Sequence, residues 1–165
     1  MQLFTKQIPS IVGKLTLVAH DKALVAILWE HEKPGRVKLG EISRNESHPL
    51  LQKTEQELME YFSGHRNMFD IPLEMIGSDF QQKVWQALRT ISYGNTLTYA
   101  EVADHIGSPR AVRAVGTAIG RNPISIIIPC HRVIGKQGQL TGFAGGLQNK
   151  SALLKLESKH YSTCN

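Results

Sequence analysis

The stretch "TLTYAEVADHIGSPRAVRAVGTAIGRN" (residues 96–122) decides how the chain folds, because it carries two helix starts a few residues apart. Thr98 followed three residues later by Glu101 is a capping-box pattern, in which each side chain satisfies a backbone N–H at the helix start. The helix it opens carries Tyr99, Val102, Ala103 and Ile106, and Gly107 ends it. Ser108-Pro109 reads as the next start, an N-cap followed by proline at the first helical position. Two short helices joined by a glycine turn are a helix-turn-helix pattern. The second helix, expected over 109–122, is unusual. Base-reading helices carry Arg, Asn or Gln toward base edges, whereas Ala111, Ala114, Gly116, Ala118 and Gly120 here surround one long side chain, Arg113. Such a helix either packs closely in a core with a snorkelling arginine or lies against DNA without demanding a sequence.

Upstream, Ser78 with Gln81 gives another capping box, opening a helix with Phe80, Val84, Leu88 and Ile91 on its apolar face. "SYGNT" (92–96) then turns the chain. The first half reads as α/β. "KLTLVAH" (14–20) and "ALVAILW" (23–29) are expected to form a hairpin turning at Asp21-Lys22. The polar stretch 31–48 reads as a loop, and 50–62 as a helix with Leu51, Leu58, Tyr61 and Phe62 on one face. Residues 71–76 read as a short strand. The change of pattern at "GSDF" (77–80) divides the chain into 1–77 and 78–165.

Charge follows the same division. Residues 1–77 hold 9 Lys/Arg and 10 Asp/Glu, while 78–165 hold 10 Lys/Arg and 4 Asp/Glu. From His105 to Leu156 there is no acidic residue, which points to a polyanionic partner, nucleic acid first. With 41% hydrophobic and 20% charged residues the chain can build a core without disulfides. Its cysteines, Cys130 and Cys164, form neither a disulfide framework nor a Cys-x-x-Cys metal pair. A reducing compartment is expected, with no membrane association. The apolar run 23–29 is far short of the roughly 20 residues a spanning helix needs, and no signal peptide is visible. His20, His31, His48 and His65 show no ligand spacing for zinc, and "GKQG" lacks the frame of a phosphate loop.

Downstream, "ISIIIPCHRVIGKQG" (124–138) places Cys130 after what reads as a buried strand and Pro129, with His131 and Arg132 following. A free cysteine is most often a small core hydrophobe. A Cys-His pair is also what a thiolate nucleophile with its base requires. Glu157 is the first acidic residue after Asp104 and stands four residues from Leu153 and three from Leu154 on an expected helix. It is either a solvated C-terminal carboxylate or a buried one that needs a partner.

The run from "SYGNTLTYAEVADHIG" through "RAVGTAIGRNP" and "PCHRV" to "TGFAGGLQNKSALLKLE" resembles the methylated-DNA–protein-cysteine methyltransferases, the O6-alkylguanine repair proteins. The match covers about Ser78 to Glu157, and Pro-Cys-His-Arg-Val is its most specific element; the first half fits by size and order. The resemblance implies a ribonuclease H-like α/β domain at 1–77 and a mostly α domain with a helix-turn-helix at 78–165. It implies stoichiometric, irreversible transfer of an alkyl group from O6-alkylguanine in double-stranded DNA to Cys130, and leaves O4-alkylthymine open as a further substrate. By the same match His131, through a water, and Glu157 form the relay that ionises the thiol, and Asn122 braces the turn holding it. Tyr99 lies near the flipped nucleotide, and Arg113 fills the space it leaves. Arg110, Ala114, Thr117 and Arg121 belong to the minor-groove surface, and Gly142, Phe143, Ala144 and Gly145 to the loop closing over the base. Some members have Tyr-Ser where this chain has Phe143-Ala144, which leaves the departing guanine to backbone donors and Tyr99. No cofactor or metal is implied. A monomer in the cytoplasm is expected, or in the nucleus of a eukaryote.

Overall fold

The computed structural model describes residues 1–164, with side chains described as far as His160. Strands β1 (Leu3–Ile8), β2 (Leu15–Ala19), β3 (Leu24–Leu28) and β4 (Ile42–Arg44) form one sheet in the order β3-β2-β1-β4. The expected hairpin is present: β2 and β3 pair antiparallel across Asp21-Lys22, with a register shift between Val18 and Ala19. Helix α1 (Pro49–Phe62) packs on the sheet through Leu51, Leu58, Tyr61 and Phe62, and His48 caps it by accepting the Leu50 N–H.

This half departs from the sequence reading in three places. No pattern marks β1, because Phe4-Thr5-Lys6-Gln7 lacks apolar alternation. It becomes a strand by pairing antiparallel with β2 and parallel with β4, and Lys6 is accommodated by an ion pair to Glu55 at 2.8 Å. Strand β4 interrupts the stretch expected to be a loop; its three residues are all exposed, too few to leave a periodic signal. Residues 71–76 are not a strand. Leu73 makes only a bridge to Leu24, and Pro72, which accepts the Leu24 N–H at 2.9 Å, has no N–H of its own to extend a ladder.

In the second half α2 (Asp79–Leu88), α3 (Tyr99–His105) and α4 (Val112–Gly120) pack on one another. Both capping boxes form, with all four bonds between 2.9 and 3.2 Å. Val84, Leu88 and Ile91 are buried as expected and Phe80 partly so; Trp85 joins them, its indole N–H donating to the Ala118 carbonyl at 2.9 Å. The expected start of the second helix is wrong. Helix α4 begins at Val112, with Ala111 as an uncapped N-terminus. Residues 108–111 are instead a turn closed by the Ala111 N–H on the Ser108 carbonyl at 2.9 Å. The fixed φ of Pro109 suits the second position of a turn as well as the first of a helix, so the local pattern does not separate them.

A two-residue strand β5 (Leu97–Thr98) pairs in parallel with β6 (Val133–Ile134), and α5 (Leu147–Cys164) closes the chain. The β5–β6 pairing ties the start of the helix-turn-helix to the residues just after Cys130. One buried cluster runs from Leu17 and Ile27 in the sheet through Val84 and Val115 to Leu153 of α5. The regions 1–77 and 78–165 thus share a core, and the Ile27 N–H donates across their boundary to the Pro123 carbonyl at 2.9 Å.

Candidate active site

Residues 122–130 do not form the strand that their apolar composition suggests. Asn122, fully buried, takes the place of a neighbouring strand: its Nδ2 donates to the Ile128 carbonyl at 2.8 Å and its Oδ1 accepts the Ile124 N–H at 3.0 Å. Within that brace Ile126 has φ +76°, with the Ile127 N–H on the Ser125 carbonyl at 2.9 Å, the rarer and strained γ-turn. A β-branched residue there costs about 1–3 kcal/mol. Pro129, at φ −81° and ψ 67°, is the centre of an inverse γ-turn closed by the Cys130 N–H on the Ile128 carbonyl at 2.8 Å. Cys130 then opens a single 3₁₀ turn, Cys130–Arg132. Two tight turns in succession, rather than a broken strand, aim this cysteine.

Cys130 is free and 4% exposed. Burial pushes its thiol above the usual range, opposed by hydrogen bonding from Asn122, by the Arg36 and Lys150 charges and by Ser125. Ser125 is held in turn by the indole N–H of Trp29, just beyond β3, at 3.1 Å. Arg36 reaches the same brace, donating to the Asn122 carbonyl at 2.8 Å.

His131 and Glu157 are brought together as expected, both essentially without exposure, with His131 Nε2 at 2.6 Å from Glu157 Oε2. The same carboxylate accepts Arg132 through Nε at 2.8 Å and Nη2 at 3.0 Å, and the Tyr61 hydroxyl at 2.5 Å. Burial alone would raise Glu157, but the hydrogen bonds from His131 and Arg132 and the Arg132 charge outweigh it and hold the carboxyl at about 2. Burial lowers the proton affinity of His131. A neutral imidazole that donates Nε2–H to Glu157 presents a lone pair at Nδ1, and Nδ1 is buried with no partner among the described residues.

The remaining expected residues lie on two other surfaces. Arg110, Arg113, Ala114, Thr117 and Arg121 are all exposed, around the turn before α4 and along its outer face. None of the three arginines has a carboxylate partner among the described residues. Tyr99, the first residue of α3, is half-buried, and its hydroxyl accepts a bond from Thr141 Oγ1 at 3.0 Å. The loop with Gly142, Phe143, Ala144 and Gly145 is clamped by the first half of the chain. Phe143 meets the Trp29 ring edge-on at 5.3 Å. A Cβ on Gly145 would come within 2.6 Å of the same indole, so glycine is needed there for close approach. Asn149 ties the Gly145 and Val12 carbonyls together at 2.8 and 3.1 Å.

Sequence reasoning missed Tyr61, Arg132, Lys150, Trp29 and Arg36 as parts of this site. One signal was available: Lys150, Leu153, Leu154 and Glu157 share a helical face, an ionic group at each end of an apolar stripe. Arg132 follows His131 directly, but its partner Glu157 is 25 positions away, and Tyr61, Trp29 and Arg36 lie too far along the chain to be paired by spacing.

Comparison with known proteins covers the whole fold. Residues 79–159 match the family described as the DNA binding domain of 6-O-methylguanine DNA methyltransferase, and residues 3–75 match its ribonuclease-like domain. The expected ribonuclease-like first half followed by a DNA-binding second half is thereby borne out. The methylated-DNA–protein-cysteine methyltransferase of Mycolicibacterium paratuberculosis is 44% identical over 157 residues, covering 94% of this chain and 92% of the relative. That of Haemophilus influenzae is 45% identical over 164 residues, covering 96% and 88%. A crystal structure of Mycobacterium tuberculosis OGT in complex with DNA superposes with a TM-score of 0.86 at 42% identity, covering 97% of this chain and 94% of that one. With both halves matched and the buried Cys130, His131 and Glu157 in place, this chain belongs to the methylated-DNA–protein-cysteine methyltransferase family.

Proposed function

We infer that this chain repairs DNA by moving the alkyl group of an O6-alkylguanine onto its own Cys130, once per molecule. The observation that carries the reading is a buried line of groups, Arg132 and Tyr61 on Glu157, Glu157 on His131 Nε2, and, on the residue that follows Cys130, a buried Nδ1 without a partner among the described residues. The relatives' name and the DNA bound in the Mycobacterium tuberculosis crystal structure support it.

At rest the thiol is protonated and His131 neutral, since burial disfavours both charged forms. When substrate arrives, a water carries the thiol proton to Nδ1, and the anionic Glu157 stabilises the imidazolium that results. The thiolate, a soft nucleophile suited to an sp³ carbon, attacks the alkyl group. The S–C bond forms as the C–O6 bond breaks, and the electron pair stays on the guanine. Asn122 holds the sulfur on line through the turn it braces. Tyr99 and the backbone N–H groups of 142–145 face the charge developing on the leaving guanine. Arg110, Ala114, Thr117 and Arg121 lie along the minor groove of duplex DNA, where small side chains allow close approach, and Arg113 enters the stack in place of the flipped base. The protein acts as a monomer, and O4-alkylthymine fits the same chemistry.

A stoichiometric assay tests the reading. With excess DNA containing O6-methylguanine, repair is expected to stop at one methyl per protein molecule, carried on the Cys130 peptide and absent from that of Cys164, whose side chain lies outside the described residues. Cys130→Ser is expected to bind DNA and transfer nothing. Turnover past the plateau, or a methyl only on Cys164, would sink it.

A further inference from the structure

A phenol has one hydrogen to give and two lone pairs with which to accept. Thr141 Oγ1 donates to the Tyr99 hydroxyl at 3.0 Å, and both residues are half-buried. With Thr141 as the donor, that bond occupies an acceptor position and leaves the phenol's own hydrogen for another partner. Among the described residues, no hydrogen bond from the Tyr99 hydroxyl to a protein group is present.

The backbone of Thr141 is held in place. Lys150, 1% exposed, donates from Nζ to the Thr141 carbonyl at 3.1 Å. The same ammonium stands over the Phe143 ring at 5.9 Å, and Phe143 is pinned against Trp29. A buried cation on α5 and a tryptophan from the first half of the chain therefore set the height of Thr141 above Tyr99. The sequence signals nothing here, since Thr141 and Tyr99 are 42 positions apart.

We propose that Thr141 is a positioning residue for alkyl transfer: by donating to Tyr99 it makes that phenol a donor aimed at the departing guanine. The proposal rests on the reading of Tyr99 as a leaving-group donor. In the reaction the sulfur–carbon bond forms, the carbon–O6 bond breaks, and the proton that left the thiol ends on the released guanine. Tyr99 gains and loses no proton; it only holds a hydrogen bond to the purine as negative charge builds up there. A hydroxyl that receives a hydrogen bond gives a stronger one. Phe143 and Ala144 carry no hydroxyl that would take over this task.

The test compares two reagents that alkylate Cys130 in the full-length protein. O6-Benzylguanine loses a guanine that needs a donor, and iodoacetamide loses iodide, which needs none. Thr141→Val is expected to slow the first reaction roughly 5- to 10-fold, the worth of one hydrogen bond in a transition state, and to leave the second unchanged. Thr141→Ser, which keeps the donor, is expected to stay within about twofold of the parent on both. Because Thr141 acts through Tyr99, Tyr99→Phe combined with Thr141→Val is expected to be no slower than Tyr99→Phe alone. Equal losses on both reagents, or additive losses in the double variant, would overturn the proposal. If Tyr99→Phe slows benzyl transfer while Thr141→Val does not, this proposal fails and the donor role of Tyr99 stands. Full benzyl transfer in Tyr99→Phe removes that donor role and the proposal together.

Discussion

The His131–Glu157 pocket and the outer face of α4 both use arginine, and they use it in opposite ways. Arg132 is 9% exposed, binds both oxygens of Glu157 and gives its remaining arm to the Ile91 carbonyl at 2.7 Å. Arg113 is exposed and pairs with no carboxylate among the described residues. A buried ionic network tolerates no missing member, since removing one partner leaves an uncompensated charge at a cost of about 3–5 kcal/mol. An exposed cation contributes about 0–1 kcal/mol to folding and is held in reserve for a polyanion. The difference assigns the work. On the proposed function, the pocket prepares one proton transfer, and the helix face stays unsatisfied until DNA neutralises it.

The strongest way to break this contrast is Glu157→Gln. The amide keeps the shape but takes the charge from beneath Arg132 and the imidazolium. Alkyl transfer is expected to fall at least about 100-fold on both free O6-benzylguanine and duplex substrate, while affinity for duplex DNA stays within about twofold. A folded variant with parental rates would return Glu157 to a structural role. The same residue sets the acid limit of the fold. Its carboxyl lies at about 2, below the ordinary 4.5, so the stability it contributes is fully present above pH 4.5 and is lost as pH falls toward 2. A shift of that size corresponds to roughly 3 kcal/mol. His131, whose proton affinity burial lowers, adds to the trend, because the unfolded chain binds a proton below about pH 6.5 that the folded chain refuses. Urea midpoints measured from pH 7 to 3 are expected to fall steadily in the parent and more shallowly in Glu157→Gln; parallel curves would contradict the assignment.

Arg113→Ala tests the other side. Repair in duplex DNA is expected to drop roughly 10- to 100-fold, since extruding a base costs a few kcal/mol that an inserted arginine offsets. Reaction with the free base and the urea midpoint are expected to stay put. Equal losses on both substrates would place Arg113 in the fold or the thiol chemistry. The smallest effect sharpens the contrast further. With Arg110 and Arg121 on phosphates, the logarithm of affinity for undamaged duplex is expected to fall with the logarithm of salt at a slope near −2, and Arg110→Ala is expected to reduce it by about 1. Affinities for unrelated duplexes are expected to agree within a few-fold, as small side chains such as Ala114 and Thr117 laid in the minor groove, whose base-edge pattern is degenerate, read little sequence. A strong preference for one undamaged sequence would make α4 a reading helix.

The sequence by itself determined whatever depends on neighbours a few residues apart. The Ser78 and Thr98 capping boxes, the hairpin at Asp21-Lys22, the apolar face of α1 and the small-residue helix after Gly107 are contests between local hydrogen bonds and solvent, and their outcome is written in the order of residues. Cys130 beside His131 was legible as a nucleophile with its base for the same reason, whereas the role of Glu157, 26 positions from His131, came only from the family resemblance. Only the tertiary structure decided how those groups are held. Tyr61 meets Glu157 and Trp29 meets Ser125 across 96 positions each, and strand β1 exists only because β2 and β4 flank it. The strained γ-turn at Ile126 persists because Asn122 and the core around it take up its strain, and the unstrained inverse γ-turn at Pro129 follows it. Such bonds form between groups whose separation along the chain carries no period, and their strength comes from burial, which is a property of the assembled core rather than of any segment.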